Sequence, residues 1–335
     1  MPEPVRPPNL RAVAERAGVS VRTVSNVVTD YPHVAPATRA AVRAAIDDLG
    51  YRPNLAARQL RRGRTGLLGL VLPELISPYF VELAALLVRQ AAERGWTLLV
   101  EETGGDARRE GALLDRRGAN LVDGLIVSPW SLAPDEIVRA SGDLPVVILG
   151  ERAAVMTDRV AMDNVAAARD AATHLLLSGR TRVGVIGLQP HLANGTAAQR
   201  LRGVHEALRA RGLAPDADRE VVTTTLHRGD GAAAVGQLLS RGSRFDALVC
   251  FTDELALGAI RMLTDRGYSI PRDVAVVGID DIEDGRFSVP RLTTIAPDKA
   301  RIAAAAVELL LCRVGGHAGE PADIIVGHRL LVRES

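Results

Sequence analysis

The stretch AGVSVRTVSNVV, Ala17 to Val28, breaks at Gly18, restarts at Ser20 and then displays Arg22, Thr23, Ser25 and Asn26. A helix that only closes a core has little use for so many hydrogen-bonding side chains. A helix, a tight glycine turn and a second helix with outward donors form a helix-turn-helix, whose second helix fits the major groove of DNA. On that reading Arg22 can pair bidentately with guanine, Asn26 with adenine, and Val21 can touch a thymine methyl. Thr23 and Ser25 suit phosphate oxygens, which set register without reading sequence. An ordinary helical hairpin with a solvated polar face is the competing reading of these twelve residues.

Outward from that stretch, Asn9 is placed to cap a helix LRAVAERAG that Gly18 ends. Downstream, VAPATRAAVRAAIDDLGY reads as a third helix with Pro36 in its first turn and Val42, Ile46 and Leu49 as its apolar stripe. Pro53 halts it, and Asn54 can cap a short helix LAARQL before the basic exit RRGRTG. So short a helix does not hold itself together in water.

From Gly66 the pattern changes. Apolar runs at 67–72, 96–101, 124–128, 146–150, 182–187, 247–251 and 274–279 alternate with amphipathic segments at 79–94, 106–117, 163–178, 197–211, 230–240, 253–266 and 298–313. That alternation predicts a doubly wound parallel α/β architecture, divided between two similar sheets.

The charge supports a division of labour. The chain has 335 residues and a formal net charge of +1. Residues 1–64 hold 11 arginines against 5 acids, a balance of +6, which leaves −5 for the remainder. Only the basic head is suited to a polyanion. No apolar run reaches the roughly 18 residues of a membrane span, and prolines occupy the start where an export signal needs an apolar core. The expectation is a cytoplasmic, nucleoid-associated protein with no membrane partner. Cys250 and Cys312 sit in apolar segments and read as buried free thiols, and no Cys/His spacing suggests a metal. No cofactor is expected.

The segments VAERAGVSVRTVSNVV and TRAAVRAAIDDLGYRPNLAARQL together resemble the head and hinge of the lactose-repressor (LacI/GalR) family of bacterial transcription regulators. SPYF (77–80), MDN (162–164), QRLRGV with Arg200 and Gly203, FTDELALGAI (251–260), IPRDVAVVGIDD (270–281) and PRLTTI (290–295) follow in that family's order. The resemblance implies an all-α helix-turn-helix head plus an α/β, periplasmic-binding-protein-like core of two lobes with a ligand in the cleft. It implies a head at 9–52, a hinge at 53–65 and a core at 66–335. Within the core it places lobe one at about 66–162 and 292–315, and lobe two at about 163–290 and 316–335.

By the same resemblance, Val21, Arg22, Thr23, Ser25, Asn26 and His33 contact DNA, joined by Asn54, Ala57 and Leu60 of the hinge, with Leu60 as a minor-groove wedge. Tyr79, Phe80, Asn194, Thr196, Arg200, Asp253 and Asp280 line the effector cleft, with Trp130 as a platform. Asp253 reads equally well as a helix cap, and Tyr79 and Trp130 as packing residues. Two departures stand out: Ala35 replaces a serine cap, and Asn26 stands where arginine is frequent. A tetramerising leucine-repeat tail is missing, so a homodimer on a two-fold operator is the expected state. The function implied is a sequence-specific regulator, a repressor controlled by a small molecule such as a sugar. An enzyme with a DNA-binding appendage and an exported solute receptor are the competing classes, but no P-loop, nucleophile elbow or zinc-protease motif occurs.

Overall fold

Three short helices begin the chain because each is bounded by its own signals. In the computed structural model, which describes residues 8–28, 31–51, 64–114, 121–151, 156–192 and 195–335, α1 (Leu10–Ala17) starts at Asn9, whose side chain accepts from the backbone N–H groups of Arg11 and Ala12. Gly18 takes the left-handed conformation, φ +66°, that a helix-ending turn demands. Ser20 restarts the chain as α2 (Val21–Val28), its Oγ accepting from the Thr23 N–H at 3.1 Å. α3 (Pro36–Leu49) has no side-chain cap at Ala35 and relies on Pro36, whose missing N–H needs no partner there. Val13, Ala14, Val24, Val27, Val42, Ala45 and Tyr51 form the head's core.

The chain divides into two compact units between Thr65 and Gly66. The second holds two six-stranded sheets. The first sheet has the strand order Asp323–Val326, Asp158–Met162, Val146–Leu149, Leu125–Val127, Leu67–Leu72, Thr97–Glu102, and the second His328–Leu331, Thr293–Pro297, Ala275–Ile279, Ala247–Cys250, Val183–Leu188, Glu220–Val222, with every described pairing parallel except Thr293–Pro297 with His328–Leu331.

Lobe one contains β1 (Leu67–Leu72), α4 (Pro78–Glu93), β2 (Thr97–Glu102), α5 (Ala107–Leu114), β3 (Leu125–Val127), α6 (Pro134–Ser141), β4 (Val146–Leu149) and β5 (Asp158–Met162). Lobe two contains α7 (Asn164–Leu177), β6 (Val183–Leu188), α8 (Thr196–Ala210), β7 (Glu220–Val222), α9 (Arg228–Ser240), β8 (Ala247–Cys250), α10 (Asp253–Asp265), β9 (Ala275–Ile279), α11 (Glu283–Phe287) and β10 (Thr293–Pro297). The chain then returns to lobe one for α12 (Lys299–Val314) and β11 (Asp323–Val326), and ends in lobe two with β12 (His328–Leu331). Each lobe has its own apolar core.

The lobe boundaries expected near the carboxyl end need correction. The resemblance places residues 292–297 in lobe one, yet β10 pairs with β9, Thr293 opposite Val277. It places residues 316–326 in lobe two, yet β11 pairs with β5, where Asp323 meets the Arg159 guanidinium at 2.7 Å. Cys312 is exposed rather than buried, while Cys250 is buried as expected. Among the described residues no helix is long and apolar enough to cross a membrane.

Candidate functional site

The head and the core each carry a candidate site. In the head, Val24 and Val27 turn inward, which leaves Val21 and Arg22 exposed at the start of α2 and Ser25 and Asn26 one turn later on the same side. Val21 is 40% exposed, an apolar side chain in water at the end of a polar face. Thr23 is already engaged, since its hydroxyl and that of Ser20 lie 2.8 Å apart. His33 is exposed and packs edge-on against Tyr31, ring centroids 5.4 Å apart, while Arg39 donates to the Tyr31 carbonyl at 2.7 Å. The sequence thus places the exposed Arg22 and the polar Ser25 and Asn26 on one helix, where spacings of three and four residues keep them on one side. Asn54, Ala57 and Leu60 lie outside the described residues, as does Asn194 of the core.

In the core, the carboxyl ends of both sheets face a cleft that is continuous with solvent. Open α/β sheets bind ligands at such ends because side chains and backbone N–H groups converge there. Tyr79, Phe80, Trp130, Thr196, Arg200 and Asp280 all line it. Phe80 joins two rings edge to face, Tyr79 at 5.3 Å and Trp130 at 6.2 Å between centroids. Trp130 is held from below. The buried carboxylate of Glu110 on α5 accepts from the backbone N–H groups of Trp130 at 2.9 Å and Leu132 at 2.8 Å, which fixes the loop that carries the indole.

The opposite wall is polar. Arg200, on α8, is buried; its Nε donates to Asn164 Oδ1 at 2.7 Å and another nitrogen donates to the Phe251 carbonyl. Asp280 follows β9 with φ +130°, a conformation an L residue seldom adopts. Its N–H donates to the Ile295 carbonyl at 2.8 Å, so β10 holds the backbone while the side chain borders the cleft. Burial pushes the Asp280 carboxyl up to about 8, opposed by Arg200 and reinforced by Asp253. At neutral pH that group is a hydrogen-bond donor as well as an acceptor.

Asp253 does not line the cleft, which corrects its assignment as an effector contact. Thr252 caps α10 by accepting from the Leu255 N–H at 3.2 Å. Asp253 is fully buried behind it, accepting from the Thr294 hydroxyl at 2.5 Å and the Ile282 N–H at 2.9 Å. It braces the 280–282 turn, and burial raises its carboxyl to about 7. Asp281 turns the other way, binding Arg286 at 2.8 Å and Arg333 at 2.5 Å.

Glu74, Glu151, Gln189 and Thr252 also line the cleft and escaped the sequence reading. Glu151, Gln189 and Thr252 each lie within two residues of a strand's carboxyl end. A search for polar residues at that offset would have found them. Among the described residues, no group of three or more His, Cys, Asp or Glu side chains is placed to hold a metal ion.

Residues 9–54 match the family described as bacterial regulatory proteins, lacI family, and residues 172–335 match the periplasmic binding protein-like domain. The HTH-type transcriptional regulator GalR of Salmonella typhimurium (strain SL1344) is 32% identical over 308 residues, 91% of this chain and 89% of that protein. A solved structure of the lac repressor dimer bound to operator and the anti-inducer ONPF is 27% identical, with a TM-score of 0.88, covering 98% of this chain and 99% of that one. The transcriptional regulator CelR in complex with cellobiose is 29% identical, with a TM-score of 0.74 and coverage of 98% and 99%.

Proposed function

Because this chain belongs to the LacI family of bacterial transcription regulators, we propose that it binds a pseudo-palindromic operator as a homodimer and changes its grip when a sugar or sugar derivative occupies the cleft. The curated relatives it matches carry the names of regulators and repressors, and repression is the direction assigned here. One observation carries the reading. A single chain joins a helix presenting Arg22, Ser25 and Asn26 to a two-lobe unit whose cleft holds Arg200 and Asp280 against three aromatic rings.

The chemistry fits each ligand class. Arg22 reads guanine and Asn26 adenine from the major groove, Val21 meets a thymine methyl, and His33, Ser25 and Thr23 add backbone contacts. Thr23 has to share its hydroxyl with Ser20 to do so. In the cleft, Glu74, Glu151 and Asp280 supply acceptors for hydroxyls, Arg200 a charged donor, and the Phe80–Trp130 wall an apolar surface for a sugar's C–H face. Thr196 adds to the polar wall, and Asn194 is assigned an effector contact with it. Asn54, Ala57 and Leu60 are assigned to contact with the minor groove. A regulator acting on operator DNA works in the cytoplasm at the nucleoid.

The test is a thermal-shift screen of neutral sugars, sugar phosphates and nucleobases on the purified chain, with each hit repeated on operator DNA selected from a random duplex library. The reading requires a preferred two-fold sequence whose affinity changes with a cleft ligand. Equal binding of all duplexes, with and without every hit, refutes it.

A further inference from the structure

His227 sits where the two lobes meet. It occupies the N-cap position of α9 in lobe two, yet its Nε2 lies 3.2 Å from Glu74 Oε2, two residues beyond β1 in lobe one. Its Nδ1 lies 3.2 Å from Glu254 Oε2 on α10. A neutral imidazole has one N–H and one acceptor nitrogen, and an ionised carboxylate offers no proton. Two carboxylates on opposite ring nitrogens are therefore both satisfied only when the ring carries two protons or one carboxyl carries one.

Several charged groups surround the ring. Arg228 lies 3.4 Å from Glu254 and 2.8 Å from Asp284, and its charge is divided between them. Glu102 accepts from the Leu75 N–H at 3.0 Å next to Glu74, Asp230 is bonded to Thr225, and Asp280, just past β9, feels Glu254 but also Arg200 and Lys299. Burial raises the Glu74 carboxyl above the usual carboxylate range, His227 opposes the rise, and Glu254 and Glu102 add to it. Arg228 is thus the fixed cation beside Glu254 and Asp284, whereas Glu74 meets the His227 ring.

Other bonds also cross between lobes. Glu82 accepts from the Glu283 N–H at 2.9 Å, Lys299 donates to the Asp281 carbonyl at 3.1 Å, and Gln199 and Asn164 each donate to Glu151 at 3.1 Å. Backbone amides, side-chain amides and an ammonium keep their protons across the neutral range, whereas a histidine does not.

We propose that His227 is an inter-lobe clasp: as an imidazolium it ties Glu74 to Glu254, positions Glu74 on the cleft wall and holds the lobes together, and on losing a proton it lets them part. The proposal rests on reading the cleft as the effector site, because Glu74 lines it. Cleft occupancy and the clasp then compete for, or share, one carboxylate, which couples ligand binding to lobe spacing and to pH.

The experiment reads lobe spacing directly, without effector or DNA, so its failure is separate from failure of the regulator reading. Spin labels are placed at Arg89→Cys on lobe one and Arg241→Cys on lobe two in a full-length Cys312→Ser chain, diluted into unlabelled chain to isolate distances within one protomer. Between about pH 5.5 and about pH 8.5, the span in which an imidazole titrates, the longer-distance population should rise severalfold. His227→Gln should abolish that step, and Glu74→Gln, which removes the lobe-one carboxylate that the clasp ties, should flatten it as well. An unchanged distance distribution in the parent chain, or a full step surviving in His227→Gln, overturns the clasp. Should His227→Gln fail to fold, the parent chain and Glu74→Gln decide.

Discussion

Arg200 Nε donates to Asn164 Oδ1 at 2.7 Å, and Asn164 Nδ2 donates in turn to Glu151 Oε1 at 3.1 Å. The guanidinium of the cleft is thus aimed by the first residue of α7, which also reaches the other lobe. The MDN stretch acquires a physical meaning from this. Met162 ends β5, Asp163 caps α7 by accepting from the Ala166 N–H at 2.9 Å, and Asn164 orients the arginine.

Arg200→Lys keeps the charge but loses the planar fork and the bond to Asn164. Effector affinity should fall about tenfold or more, since charge-assisted hydrogen bonds contribute roughly 1.5–3 kcal/mol. Isothermal titration with whichever sugar emerges from the screen provides the measurement. Undiminished affinity in this variant would take Arg200 out of the ligand contacts.

Asp280 makes stability depend on pH in a defined direction. Its carboxyl is raised by burial from the ordinary 3.8 to about 8, so the folded state favours the protonated form. The stability this gives is fully present below the unfolded value and is lost as pH rises through about 8. Asp280→Asn removes that loss while tolerating the unusual φ. Relative to the parent, the variant should gain more than about 1 kcal/mol between pH 5 and pH 9, because each unit of displacement is worth about 1.4 kcal/mol. Chemical denaturation at the two pH values checks this, and an equal difference at both would reject the burial argument.

Gly258 and Gly231 mark where α9 and α10 cross. A Cβ at Gly258 would run into the Arg228 carbonyl oxygen, and one at Gly231 into the Leu255 carbonyl oxygen. Gly258→Ala should cost about 1–3 kcal/mol, the usual penalty for forcing packed backbones apart. Because the head and the core are separate compact units, the loss should appear in the core transition in calorimetry.

Arg22→Ala should weaken operator binding by about 1–3 kcal/mol and relax one base position. Selection from a randomised operator library reads both effects. Uniform weakening on every sequence would reassign Arg22 to the phosphate backbone.

Leu60→Ala should reduce the bend of bound DNA while effector affinity stays as it was. Circular-permutation gel shifts report the bend angle, and an unaltered angle would remove Leu60 as the wedge.

The strands that were legible are those whose burial follows from their own residues, such as LLGLVL and VVILG. β5 was not, because DRVAM buries two charged side chains. Asp158 is neutralised by Arg313 at 2.7 Å and Arg159 by Asp323 at 2.7 Å, partners more than 150 residues away in the chain. Likewise TTIAP reads as polar, yet Thr294 is buried because Asp253 accepts its hydroxyl. Glu110 and Asp253 follow the same logic: buried carboxylates that hold loops in place cannot be told from solvated ones until their donors are known.

The linear order of residues was sufficient for everything governed by near neighbours: the caps at Asn9 and Ser20, the glycine turn between them, the polar face of α2, the basic head and the alternation that builds two parallel sheets. Only the folded chain decided which strand crosses to which lobe, that Asp280 rather than Asp253 meets the cleft, and that His227 lies between two carboxylates. Those outcomes depend on charges and hydrogen bonds brought together over tens to hundreds of residues, and their energies have no counterpart in local spacing.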